Sequence, residues 1–159
     1  MDRNLTPQTR RIQIGAAIVA GTGDTQTFTE IDMQSGGPWE AVICSVLLGA
    51  ITATGVATLR CKESDTSATY GAGTVDCVLA LDGTVASASL TTGDSNKILS
   101  LEIMRPKKRY VRFELVRATA NVAVLGTMAE CYNPINTLAL QAAADGASAV
   151  ALGNRISTV

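Results

Sequence analysis

The sequence predicts an all-β protein: a single antiparallel β-sandwich, jelly-roll-like or Ig-like, with an extended C-terminal arm. Three observations lead there. Apolar residues recur at a period close to two along most of the chain. Clusters of Gly, Pro, Asn, Asp and Ser interrupt those runs at short intervals. The alternation stops after Asn133 and Pro134, where a stretch rich in Ala, Leu, Ser and Gly begins. The sandwich is therefore assigned to residues 1–133 and the arm to residues 134–159. A chain of 159 residues suffices for one domain with a real core.

Residues 10–20 (RRIQIGAAIVA) form the first expected strand, with Ile12, Ile14, Ala16 and Ile18 on one face. Gly21, Thr22, Gly23 and Asp24 end it as a hairpin turn. Gly-Thr-Gly after an apolar strand has the look of a phosphate-binding turn, but that motif needs a third glycine and a following helix. Instead, residues 25–33 alternate as a strand, with Thr25, Thr27, Thr29 and Ile31 opposed to Gln26, Phe28, Glu30 and Asp32. Ser35, Gly36, Gly37 and Pro38 make a loop. Residues 39–50 (WEAVICSVLLGA) are nearly all apolar. Their Val, Ile and Cys content favours a central strand buried on both faces over a short buried helix. Trp39, which opens this run, is either a core anchor or an interface anchor.

Residues 57–63 alternate cleanly, with Ala57, Leu59 and Cys61 opposed to Thr58, Arg60 and Lys62. Residues 64–73 are polar and turn-rich, residues 75–81 form a short strand, and Asp82 and Gly83 mark a turn. A Ser/Thr/Ala stretch runs on to Thr92, and residues 93–96 form a loop. In residues 97–104, Leu99, Leu101 and Ile103 share one face, with Ser100 and Glu102 on the other. A basic turn at Arg105, Pro106, Lys107 and Lys108 leads to residues 109–117, where Val111, Phe113 and Leu115 face inward and Tyr110, Arg112 and Glu114 outward. Residues 121–132 are the last strand, with Val122 and Val124 in phase. About eight short strands at this spacing suit a sandwich or barrel.

Composition excludes several function classes. Histidine is absent, which removes Ser-His-Asp and Cys-His catalysis and makes most zinc and iron sites improbable. The chain is expected not to be an enzyme and to need no cofactor. Charged residues are 17% of the chain, below the roughly 25% of typical soluble proteins, and mean hydropathy is +0.22. So little charge points to a surface partly covered by an interface, the alternative being a neutral Thr, Ser, Gly and Ala surface. A net charge of −1 is unlike a general nucleic-acid binder, so no sequence-specific nucleic acid is expected as a partner. No membrane partner is expected either, because no run of about 18 apolar residues occurs. No signal peptide is visible, which predicts synthesis in a reducing cytoplasm.

Cys44, Cys61, Cys77 and Cys131 all fall in expected strands and contain no C-x-x-C pair, so they read as buried thiols. A disulfide among them stays open, since connectivity depends on geometry. The acidic pairs Glu30 with Asp32 and Glu63 with Asp65 read as solvated surface. Arg105, Lys107, Lys108 and Arg109 form the densest basic cluster, read as a solvated hairpin turn or as a contact for an acidic partner. Aromatic residues are too few, at 4%, to support base stacking. The candidate interface residues are Arg10 and Arg11 with Arg3 near the N-terminus, Arg105, Lys107 and Lys108 in the basic turn, and Leu138, Leu140, Val150 and Leu152 in the arm. The arm suits a segment that lies on a neighbouring subunit.

Residues 57–65, ATLRCKESD, resemble a segment of small tailed-phage virion proteins, in which a strand ends in Lys/Gln-Glu-Ser-Asp before a polar turn. Lys108, Arg109, Tyr110, Val111 and Arg112 resemble the Lys-Arg-Tyr-hydrophobic-Arg motif of the same proteins, and Gly21, Thr22 and Gly23 are similar to their early turn. The resemblance spans roughly residues 12–130; Thr69, Tyr70 and Gly71 stand where an aromatic-Asp-Val segment is usual. It implies a β-sandwich virion protein of a double-stranded DNA phage, similar to capsid decoration (cement) proteins. Such proteins are made in the host cytoplasm, sit on the capsid surface as homotrimers and bridge capsomers of the major capsid protein. A head–tail connector or tail component is an alternative expectation, and a host- or glycan-binding module displaying Trp39, Tyr70, Tyr110 or Tyr132 is another.

Overall fold

The computed structural model describes residues 9–35, 38–68, 75–77 and 84–134. Of the expected arm at residues 134–159, Pro134 instead ends the last strand, and residues 135–159, the turn at Asp82 and Gly83, and the loop at Thr69, Tyr70 and Gly71 lie outside the described residues. The chain forms strands β1 (Thr9–Gly15), β2 (Ile18–Gly21), β3 (Asp24–Thr27), β4 (Ile31–Asp32), β5 (Trp39–Ile51), β6 (Val56–Ser64), β7 (Val75–Asp76), β8 (Ser87–Thr91), β9 (Ile98–Met104), β10 (Tyr110–Ala118) and β11 (Val122–Pro134). They build two antiparallel sheets. The first has the order β1-β11-β5-β9, with β2 also on β11; the second has the order β3-β10-β6-β7, with β4 on β10 and β8 on β6. No α-helix occurs among the described residues. The protein is an all-β sandwich, as the period-two patterning predicts.

The core lies between the two inner faces. The first sheet contributes Val42, Cys44, Val46 and Leu48 from β5, Val122, Val124, Ala129 and Cys131 from β11, and Leu99, Leu101 and Ile103 from β9. The second contributes Ala57, Leu59 and Cys61 from β6 and Val111, Phe113 and Leu115 from β10. The sets from β6, β9 and β10, and Val122 and Val124 of β11, are the ones that alternation assigns. Trp39 is a core anchor, and its indole N–H donates to the Ser35 carbonyl at 3.0 Å.

Several elements differ from expectation. The first strand is two, because the chain leaves the ladder at Ala16 and Ala17 and only Ile14 of its apolar set is fully buried. Residues 25–33 do not alternate throughout. Phe28 and Ile31 are both buried, three residues apart, so the chain turns between β3 and β4 and presents both to the core. β5 is central but not buried on both faces; Leu47 is 43% exposed on the outside. A strand inside an open sandwich has one wet face, unlike one in a helix-covered parallel sheet. The Ser/Thr/Ala stretch contains β8, and residues 93–96 partly form a 3₁₀ turn, Thr92–Asp94.

Most connections cross from one sheet to the other. β2 to β3, β5 to β6 and β9 to β10 pass from the first sheet to the second; β4 to β5, β8 to β9 and β10 to β11 return. The turn at Gly21, Thr22 and Gly23 and the basic turn at 105–109 are therefore inter-sheet corners, not hairpins. Turn residues report that the chain reverses, not which sheet it enters. β7 and β8 follow one another along the same edge of β6, pairing with Lys62 and Glu63 and then with residues 56–60.

Candidate functional site

The basic corner is tied down at every charge but one. Glu63 continues the inward face of Ala57, Leu59 and Cys61, and it is 2% exposed, not solvated as its sequence context suggests. Its carboxylate accepts the backbone N–H groups of Lys107 at 2.6 Å and Lys108 at 3.2 Å. Arg105 has a left-handed φ of 52° and is held there by Glu40, whose carbonyl accepts its N–H and whose carboxylate accepts its Nε at 2.6 Å. Lys108 pairs with Asp65 at 3.2 Å. Arg109 grips Asp32 through two bonds, at 3.0 and 2.8 Å, and lies over the Tyr110 ring. That fork holds the Asp32 carboxyl below its ordinary value and raises the Arg109 guanidinium. Three basic side chains thus meet Glu40, Asp65 and Asp32 while Glu63 takes backbone N–H groups, and among the described residues only the Lys107 ammonium of this corner lacks an ion pair.

The two motifs that carry the family resemblance meet here. Lys62, Glu63 and Ser64 are the ladder partners of Arg112, Val111 and Tyr110. Glu63 caps the corner, Lys108 and Arg109 pair at it, and Lys62 and Arg112 both pair with Glu114 further along β10.

Arg117 does the same work at the other end of β10, about 20 Å away along the strand. It is 4% exposed. Its Nη1 donates to the carbonyls of Val19 at 2.7 Å and Val122 at 2.9 Å, and its Nε and Nη2 donate to Asp24 at 2.7 and 2.5 Å. Val19 and Val122 belong to the first sheet, Arg117 and Asp24 to the second. Gly21 leaves the room: a Cβ there would stand 2.8 Å from the guanidinium. The arginine's bonds are the first cause of a lowered Asp24 carboxyl pKa.

Arg10 and Arg11 lie on β1, at one edge of the first sheet. Arg10 donates to the Ser35 carbonyl at 2.9 Å, and Arg11 pairs with Glu130 of β11 at 2.9 Å. Arg3, Leu138, Leu140, Val150 and Leu152 lie outside the described residues. The structure thus brings Arg105, Lys107 and Lys108 together at the corner and places Arg10 and Arg11 on a sheet edge.

Pattern reasoning missed a different feature. The outer face of the first sheet carries Leu47 at 43%, Met128 at 46%, Leu125 at 54% and Ile98 at 62% exposure. They are neighbours: Leu47 is the ladder partner of Ile98 on one side and of Gly126 on the other, between Leu125 and Met128. A Cβ at Gly126 would meet nothing within 4 Å, so the glycine leaves an open notch among these side chains. The ladder shifts register on either side of Val124, and this bulge turns Leu125 outward. Only the long apolar run in residues 39–50 hinted at such a face.

All four cysteines are free and buried, as expected, although Cys77 lies just past β7 rather than in it. Burial raises the Cys44 and Cys61 thiols and pushes Cys131 up to about 11. Among the described residues no group of three His, Cys, Asp or Glu side chains could hold a metal ion. Trp39 is in the core, Tyr110 lies against Arg109, and the Tyr132 hydroxyl contacts the Met104 sulfur, so these three form no shared aromatic platform. No protein-family model and no curated protein matches the chain.

Proposed function

We propose that this chain is a non-catalytic structural module that associates with copies of itself, and that it serves as a capsid decoration protein bridging capsomers of a phage shell. The observation that carries the first part is the exposed apolar group of Leu47, Ile98, Leu125 and Met128 around the Gly126 notch. Contiguous apolar surface of this kind marks an interaction face rather than a solvated one. The low charge and the Ala- and Leu-rich residues 135–159 fit a molecule with much surface to cover. The virion assignment rests on the sequence resemblance in residues 57–65 and 108–112.

Sedimentation of the full chain over a concentration series tests the association. An oligomer, expected to be a trimer, should fall to monomer in Leu47→Asp and Met128→Lys, with Trp39 emission unchanged. A monomeric parent chain, or variants that still assemble, would refute this face. Quantitative mass spectrometry of virions then tests the location. Hundreds of copies per particle support the shell; about a dozen identify a connector or tail part; absence removes the virion reading.

A further inference from the structure

Cys61 and Cys77 are direct cross-strand neighbours. The β6–β7 ladder pairs Lys62 with Asp76 and Glu63 with Val75, and the next step brings Cys77 N–H to the Cys61 carbonyl at 2.9 Å. Directly opposed residues of such a pair have Cα atoms about 5.5 Å apart, inside the range a disulfide spans. Both side chains turn into the core, 0% and 1% exposed, and their sulfurs stand 2.7 Å apart. No other pair of cysteine sulfurs makes such a contact among the described residues.

We infer that Cys61 and Cys77 form an intramolecular disulfide when the chain meets a small-molecule disulfide oxidant. The thiolate of one cysteine attacks the oxidant's S–S bond, giving a mixed disulfide and one released thiol. The second cysteine attacks the protein sulfur of that mixed disulfide, forming the Cys61–Cys77 bond and releasing the second thiol. Two electrons pass from the cysteines to the oxidant, and the two cysteine protons end on the released thiols. The gate is β7, a strand of two residues held beside the cysteines by the Cys77 N–H and by the Ala86 N–H bond to the Cys77 carbonyl. Opening it exposes both sulfurs without disturbing β10, on the far side of β6. The bond would fasten this peripheral strand to the sandwich in an oxidising medium and release it in a reducing one. The inference does not depend on the proposed self-association.

The sequence supplies a sharp control. Cys61 is almost equally far along the chain from Cys44 and from Cys77, so an unfolded chain closes either loop with similar ease. Cys44, however, projects from β5 in the other sheet. The full chain is refolded from urea in a reduced and oxidised glutathione couple, alkylated, and mapped without reduction. A single linkage, Cys61 to Cys77, is expected, with Cys44 and Cys131 alkylated and Tm raised by about 5–10 °C until reductant is added. The same couple in denaturing urea should give Cys44–Cys61 and Cys61–Cys77 in comparable yield. Folded Cys77→Ala should show no linkage at Cys61. Complete alkylation of the folded chain, or folded yields of Cys44–Cys61 that match Cys61–Cys77, would overturn the inference.

Discussion

Replacing Arg117 should destabilise the sandwich more than replacing its ionic partner. The guanidinium is 4% exposed and makes two kinds of contact: two bonds to Asp24, and one each to the carbonyls of Val19 and Val122. The Asp24 side chain is 38% exposed, so on losing Arg117 it rehydrates, and its share is that of a screened pair, about 0–1 kcal/mol. Val122 is fully buried, and an orphaned buried acceptor costs about 1–3 kcal/mol. With the Val19 bond and the lost side-chain volume, Arg117→Ala should cost about 3–5 kcal/mol, in line with breaking a buried charge cluster. Asp24→Asn should cost about 1 kcal/mol. Arg117→Lys should resemble the alanine variant more than wild type, because one ammonium cannot reproduce the fork. Trp39, buried near the opposite end, reports global unfolding by urea. At a slope of about 2 kcal/mol per molar, the alanine midpoint should fall by about 1.5–2.5 M. If Asp24→Asn lowers the midpoint as far as Arg117→Ala does, the ion pair holds this corner and the carbonyl clamp argument is wrong.

Other outcomes follow from the same geometry. Glu63→Leu should cost about 2–4 kcal/mol and speed amide exchange at Lys107 and Lys108, while Glu63→Gln, which keeps an acceptor, should cost about half as much. The Thr127 hydroxyl is buried without a hydrogen-bond partner, so Thr127→Val should raise stability by about 1 kcal/mol in the same urea titration. Asp24 and Asp32 titrate below the ordinary carboxylate value of 3.8 in the folded chain. The unfolded chain therefore binds protons first as the pH falls. The stability they contribute is complete above that value and is lost as pH drops through their lowered folded values. The urea midpoint should be flat above about pH 5 and fall below about pH 4, less steeply in Asp24→Asn.

The strands were legible because alternation is a local record of which face is buried. Leu99, Leu101 and Ile103, or Val111, Phe113 and Leu115, each satisfy it along one uninterrupted ladder. What alternation cannot encode is where it ends. Phe28 and Ile31 look out of phase for a strand, and they are, because the chain turns between them. Glu63 and Arg117 are in phase with the core yet charged, which invites the expectation of solvent. Only the sheet assignment shows that the inward position at each end of the sandwich faces a crossing connection with backbone groups to satisfy. The outer apolar face was illegible for a related reason: Leu47, Ile98 and Met128 come from three strands whose order is set by long-range pairing.

These corners also change what the low charge content means. Among the described basic residues, Arg11, Lys62, Lys97, Arg105, Lys108, Arg109, Arg112 and Arg117 are all in ion pairs, and only Arg10, Arg60 and Lys107 are not. Much of an already sparse charge is neutralised within the fold. The described surface therefore projects a weak field, which gives little to electrostatic steering or to matched charges across an interface. Burial of Leu47, Ile98, Leu125 and Met128 would have to supply it, and that term is not screened by salt. The self-association proposed above should accordingly change by less than about threefold between about 0.05 and 0.5 M sodium chloride in sedimentation, and should strengthen in sulfate. A steep loss with sodium chloride would instead place the interface at the cations outside the ion pairs, Arg10, Arg60 and Lys107.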